Sequence, residues 1–184
     1  MKEDKLTNAL IRHHKKSESQ EAVSEVQTSP EVHYNHYGTR GIVDLFVRKT
    51  YESGSIRDDV IEIKSELTNA NEIIRQFNKM SSFFYKGADW SKPPRHSFVL
   101  GILLTKNNVE HLIENIQMYK SLNSSSKVFI GFSTEEYPNP YNIFTPKCDI
   151  SDTENYVEWL LDSQRDKQKA LGRKLKEILE EVKA

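Results

Sequence analysis

Two short stretches hold the residues best suited to chemistry. "GIVDLFV", 41–47, sets Asp44 inside a run of strand-forming apolar residues, and "IEIK", 61–64, sets Glu62 two positions before Lys64. An ionised Asp buried in a sheet without partners is costly to desolvate, so Asp44 must face water, meet a cation or have a task. Strand side chains alternate faces, which predicts Asp44 on the face of Ile42 and Phe46, and Glu62 and Lys64 on a common face of their own strand. If the two strands pair in register, Asp44 and Glu62 stand side by side, where like charges repel unless a cation joins them. A hard divalent cation such as Mg²⁺ takes oxygen ligands, commonly one or two carboxylates completed by water and substrate phosphate. Lys64 would stand beside the attacking water, where an ammonium orients the nucleophile, lowers its pKa or neutralises charge growing on phosphorus. Such a set suits phosphodiester hydrolysis.

Acid-x-Lys is a cheap pattern, and the chain also carries it as "EDK" at 3–5 and "EVK" at 181–183. Only "EIK" lies in a predicted strand, after a mid-strand Asp and before an amphipathic helix. The bland alternative is a cross-strand Asp44–Lys64 ion pair on a solvated face, worth ~0.2–1 kcal/mol.

These residues need elements to hold them. Residues 2–14 predict a helix with Leu6 and Leu10 on one face and acids in its first turn. A polar tract follows, with one strand expected between 22 and 37, interrupted by Pro30. "GIVDLFVRKTY" and "DDVIEIKSEL" predict an antiparallel hairpin around "ESGSIR". A helix capped by Asn69 or Asn71 runs to about Tyr85, with Ile73, Ile74, Phe77 and Met80 on its apolar side. "SFVLGILLT" and "KVFIGFS" read as buried strands joined by a helix over 107–122, a β-α-β unit with parallel neighbours. A Pro-rich loop leads to a helical region over about 153–183. The expected fold is α/β: a mixed central sheet with an antiparallel hairpin at its centre and helices on both sides. One domain over 1–184 is expected, with its core at about 3–135.

"GIVDLFV" with "IEIKSEL" resembles the PD-(D/E)xK nuclease superfamily, in a variant without the Pro. The resemblance implies a restriction-endonuclease-like core, DNA as substrate and Mg²⁺ or Mn²⁺ as cofactor. It implies Asp44 and Glu62 as metal ligands and catalytic groups, the Ile63 carbonyl as a further ligand, and Lys64 as the residue assisting the attacking water. A family Glu on the first helix matches Glu3 as a further metal ligand, with Asp4 as understudy, and a family Gln after the E-x-K strand matches Gln76, implied as a catalytic-site residue that orients the site or touches the DNA. A non-catalytic nucleic-acid-binding or assembly protein on the same core stays open as the alternative.

Other features bound the reading. Twenty-six basic against 27 acidic side chains give a net charge of −1, so a polyanion-binding surface would have to be a local patch. The single Cys148 forms no internal disulfide, and no apolar run approaches a membrane span; an intracellular, soluble protein is expected. No Gly-rich phosphate loop exists, and His13, His14, His33 and His36 read as surface histidines. "HYNHYGTR" offers Tyr34, His36, Tyr37 and Arg40, residue types that grip phosphates and stack on bases. "DWSKPPRH" offers Lys92, Arg95 and His96 to a groove. Tyr34, Arg40, Lys92 and Arg95 are the candidate substrate contacts. Leu171, Leu175, Ile178 and Val182 form a short heptad stripe that either packs on the chain's own sheet or joins a homodimer.

Overall fold

The predicted hairpin forms from β2 (Thr39–Tyr51) and β3 (Ile56–Lys64), paired antiparallel from Leu45↔Ile61 to Thr50↔Ile56. The computed structural model describes residues 3–20, 22–85, 96–123, 128–138 and 150–184. The turn closes through the Gly54 N–H on the Tyr51 carbonyl (2.8 Å), with Gly54 at φ 80°, a conformation that favours glycine. On its other side β2 pairs antiparallel with β1 (Val23–His36), which passes through Pro30 as one strand instead of breaking there. Pro30 is tolerated because β1 is the sheet edge, where a strand can lack a donor.

β4 (His96–Leu103) lies parallel to β3, and β5 (Val128–Ser133) parallel to β4, giving the order β1-β2-β3-β4-β5. The β3-to-β4 crossover carries α2 (Ala70–Tyr85), whose first turn is capped by Asn69 Oδ1 accepting from the Glu72 N–H (3.1 Å). The next crossover divides into α3 (Lys106–Glu114) and α4 (Ile116–Lys120) where one helix was expected. At the break the Asn115 side-chain amide donates to the His111 carbonyl (2.9 Å), which the Asn115 N–H also uses. The C-terminal region likewise divides, into α5 (Ile150–Leu161) and α6 (Asp166–Lys183). No described helix is long and apolar enough to cross a membrane.

Two apolar clusters fill the two faces of the sheet. α1 (Glu3–Lys15) buries Leu6 and Leu10 against Leu45, Val47, Ile61, Ile63 and Val99. On the opposite face Ile73, Phe77 and Met80 of α2 join Val60, Phe98 and Leu100. Val43 belongs to this second cluster although Leu45, two residues on, belongs to the first. Strict alternation would put Val43 and Leu45 on one face, so β2 switches faces at Asp44. β1 switches beside it: Val26 joins the α1 cluster and Val32 and Tyr34 the α2 cluster, with Glu31 between them at φ 53°. The predicted shared face for Ile42, Asp44 and Phe46 therefore fails, because that prediction assumed an unbroken pleat.

Part of the heptad stripe is buried within the chain. Leu171 and Leu175, with Leu179 beside them, are buried in the α2-side cluster, where α6 packs mainly on α5 and α3, and Ile178 and Val182 are half-buried against it. α5 and α6 approach closely at Gly172, where an added Cβ would lie 2.8 Å from the Leu160 Cβ. Leu175→Ala is expected to cost about 2–5 kcal/mol in urea denaturation. The loss should be the same at all protein concentrations, since the cavity opens inside one chain; a concentration-dependent loss would place the stripe in a subunit interface.

Candidate active site

The β2–β3 ladder ends at Leu45↔Ile61. At the next position the Asp44 side chain takes over, with Oδ2 accepting from the Ile63 N–H at 2.6 Å. Asp44 thereby satisfies a strand donor that would otherwise be left open between diverging strands. One residue back on β3, Glu62 Oε1 accepts from the Lys64 ammonium at 2.6 Å. Just beyond β3, the Ser65 N–H and hydroxyl both donate to Glu3 Oε1, at 3.1 and 3.2 Å, bringing the first turn of α1 to the strand end. The expected group of Glu3, Asp44, Glu62 and Lys64 is thus gathered at the C-terminal end of β3.

Its electrostatics show how tightly these charges are held together. Burial raises the Glu62 carboxyl from 4.5 to about 7, and Asp44 and Glu3 push it the same way against the lowering effect of Lys64. Burial also raises Asp44, with Glu3 and Glu31 adding to it, while the Ile63 N–H and Lys64 oppose it. Burial works to lower Lys64, but Glu62, Asp44 and Glu3 outweigh it and hold the ammonium above its ordinary value. Three carboxylates thus share one cation, an arrangement short of positive charge.

Asn108 fixes the frame beneath this group, and nothing in the sequence pointed to it. Only 1% exposed, it donates to the Ser65 (3.0 Å) and Leu103 (2.8 Å) carbonyls and accepts from the Leu67 N–H (2.8 Å). It ties the segment after β3, and with it the Glu3 anchor, to the end of β4. An Asn in a helix first turn is too common for its sequence context to have announced this.

The remaining candidates divide. Gln76 lies on α2 and donates to Glu72 Oε1 (2.9 Å) on its own helix, so its recorded bond does not reach the strand carboxylates. Tyr34 is 8% exposed, its ring packed near Phe83 (5.0 Å) and Phe84 (5.9 Å), which removes it as a platform for bases. Burial and then Glu62 raise the Tyr34 phenol, placing it in the electrostatic surroundings of the site. Arg40 is exposed on β2. Lys92 and Arg95 lie outside the described residues. His14 corrects the surface-histidine expectation: it is 2% exposed on α1, and burial, then Lys49, His13 and Arg57, push it down to about 3.

A family model described as a PD-(D/E)XK nuclease superfamily domain matches residues 1–134. The chain belongs to the PD-(D/E)XK nuclease superfamily. No curated protein and no solved structure matches it. The match spans every element from α1 to β5, so the mixed five-stranded sheet and its flanking helices are the PD-(D/E)XK core, with α5 and α6 following it. Members of this superfamily typically use divalent metals. Among the described residues no group of three or more His, Cys, Asp or Glu stands ready to hold one alone. The donor chemistry nevertheless fits such an ion. Each carboxylate spends one oxygen on a protein donor, leaving Asp44 Oδ1 and Glu62 Oε2 without a hydrogen bond among the described residues, in a cluster with surplus negative charge.

In the folded protein Glu62 holds its proton more tightly than in the unfolded chain. The contribution of this group to stability is therefore fully present below 4.5 and is lost as pH rises to about 7. Compared with the unsubstituted chain in chelator, Glu62→Gln should gain stability across that window and gain no more above it. Urea midpoints measured from pH 4 to 9 check this; parallel profiles for the two proteins would contradict it.

Proposed function

We propose that this protein is a metal-dependent nuclease that hydrolyses DNA phosphodiester bonds. The observation that carries the reading is the convergence of Asp44, Glu62 and Lys64 at the strand end of a PD-(D/E)XK core. Asp44 and Glu62 would hold Mg²⁺ or Mn²⁺, with the Ile63 carbonyl and Glu3 as supporting ligands. When bound, the ion would supply Lewis acidity and screen the charge of the phosphate.

The protein's own groups have separate tasks. Lys64, held by Glu62, would orient the attacking water and neutralise charge developing on the phosphate oxygens. Glu3, anchored through Ser65, adds the negative potential that favours a cation here. Gln76, on α2, would orient the site or touch the DNA. The reading takes residues 1–184 as one nuclease-like domain, supported by the core that α5 and α6 share with the sheet.

One observation favours a second reading, nucleic-acid binding without cleavage. Glu62 and Asp44 each already bind a protein donor, and no ready three-ligand group stands among the described residues. That reading predicts binding that ignores chelators.

Cleavage of single- and double-stranded DNA with Mg²⁺ or Mn²⁺ separates the two. Asp44→Ala and Lys64→Ala should each lower the rate by roughly 100-fold or more, and chelator should abolish it. Activity undiminished in both variants would overturn the nuclease assignment.

A further inference from the structure

Beyond Asp44 the sheet narrows to two strands. β3 pairs with β2 only from Leu45 to Thr50, whereas β1 and β2 continue together from Val32↔Val43 to His36↔Thr39. This two-stranded arm starts beside the candidate catalytic carboxylate.

Its two faces differ. On the inner face Tyr34 lies opposite Gly41, so closely that a Cβ on Gly41 would meet the ring at 2.2 Å. α2 braces that face: the Lys79 ammonium donates to the Arg40 carbonyl (2.7 Å) and lies 5.7 Å from the Tyr34 ring centroid, and Phe83 packs near Tyr34 and His36. On the outer face the opposed pairs His33↔Ile42 and Asn35↔Arg40 present four exposed side chains. At the tip Tyr37 and Gly38 both have positive φ, 51° and 80°, and Asn35 Oδ1 accepts from the Gly38 N–H (2.9 Å). Such a turn favours Asn, Asp or Gly at the first position, yet the chain puts a Tyr there and leaves it 84% exposed.

Composition identifies the partner. From Val32 to Val43 no acidic residue occurs, in a chain with 29% charged residues. No carboxylate among the described residues bonds the Arg40 guanidinium. Two of the three large apolar side chains exposed among the described residues, Tyr37 and Ile42 (52%), are on this arm. A cation, imidazoles, an amide and exposed apolar surface on a carboxylate-free ribbon complement a polyanion bearing flat bases. A two-stranded β-ribbon also fits the roughly 12 Å width of the DNA major groove.

We infer that the outer face of the β1–β2 arm, His33, Asn35, Arg40 and Ile42 with Tyr37 at the tip, docks in a groove of duplex DNA and presents the neighbouring phosphate to the site. This deepens the nuclease reading and rests on it for the nature of the substrate.

The substitutions that test it are all at exposed positions. Anisotropy of a labelled duplex, with Ca²⁺ replacing Mg²⁺, is measured over a range of salt for the unsubstituted protein, Tyr37→Ala, Arg40→Ala and the pair His33→Ala with Ile42→Ala. Thermal melting confirms that each is folded. Tyr37→Ala should weaken duplex binding about ten-fold with an unchanged salt dependence, whereas Arg40→Ala should also lower the slope of log K against log salt by about one. Unsubstituted duplex affinity in all the variants overturns the arm proposal, and if Mg²⁺-dependent cleavage persists the nuclease reading stands. Duplex binding that depends on the arm without cleavage supports the arm and overturns the nuclease reading. A change in oligomeric mass on light scattering with no change in DNA affinity also overturns the proposal, assigning the face to a second copy of the chain.

Discussion

The hydrogen bond from the Ile63 N–H to Asp44 Oδ2 stands where two strands stop being a sheet. A parting ladder normally leaves backbone donors without partners, and a buried one costs about 1–3 kcal/mol. Here a side chain fills the gap, so the strands can diverge while the donor stays paired. The same displacement turns β2 over, sending Val43 to one apolar cluster and Leu45 to the other. A carboxylate is thereby tied to the backbone where the two strands part, with Glu62 and Lys64 on the facing strand.

The site is also electrostatically unfinished. Burial raises both Asp44 and Glu62, with Glu3 and Glu31 adding to the first and Asp44 and Glu3 to the second, and Lys64 relieves them only in part. Packing that excludes water also raises the cost of each ionised carboxylate here. The surrounding structure compensates with anchors that carry little charge of their own. Asn108 joins two strand ends, and Ser65 steadies Glu3 with two donors. α1 contributes a charge from its first turn and apolar side chains from its body.

Much of this was legible in the sequence because the informative features are local. Apolar runs rich in Ile, Val and Phe on either side of "ESGSIR" announced the hairpin, an Asn before an amphipathic stretch announced α2, and a charge inside each hairpin strand marked the candidate site. The face switch was not legible, since it depends on Pro30 and Glu31 of one strand acting with Asp44 of another. Asn108 was hidden for a similar reason: its partners lie 41 and 43 residues away. The break at Asn115 turned on a side chain competing for one carbonyl, which apolar periodicity does not register. The burial of Tyr34 was not legible either, because pairing with Gly41 opened a slot for its ring.

The long outer strand has one further consequence. A 14-residue edge is a ready template for another chain to extend the sheet and begin a fibre. Pro30 withholds a donor midway along it, Glu31 twists the backbone at the next residue, and Glu25 adds a charge nearer its start. The irregularity that helps turn a carboxylate toward the site thus also guards the chain against polymerising with itself.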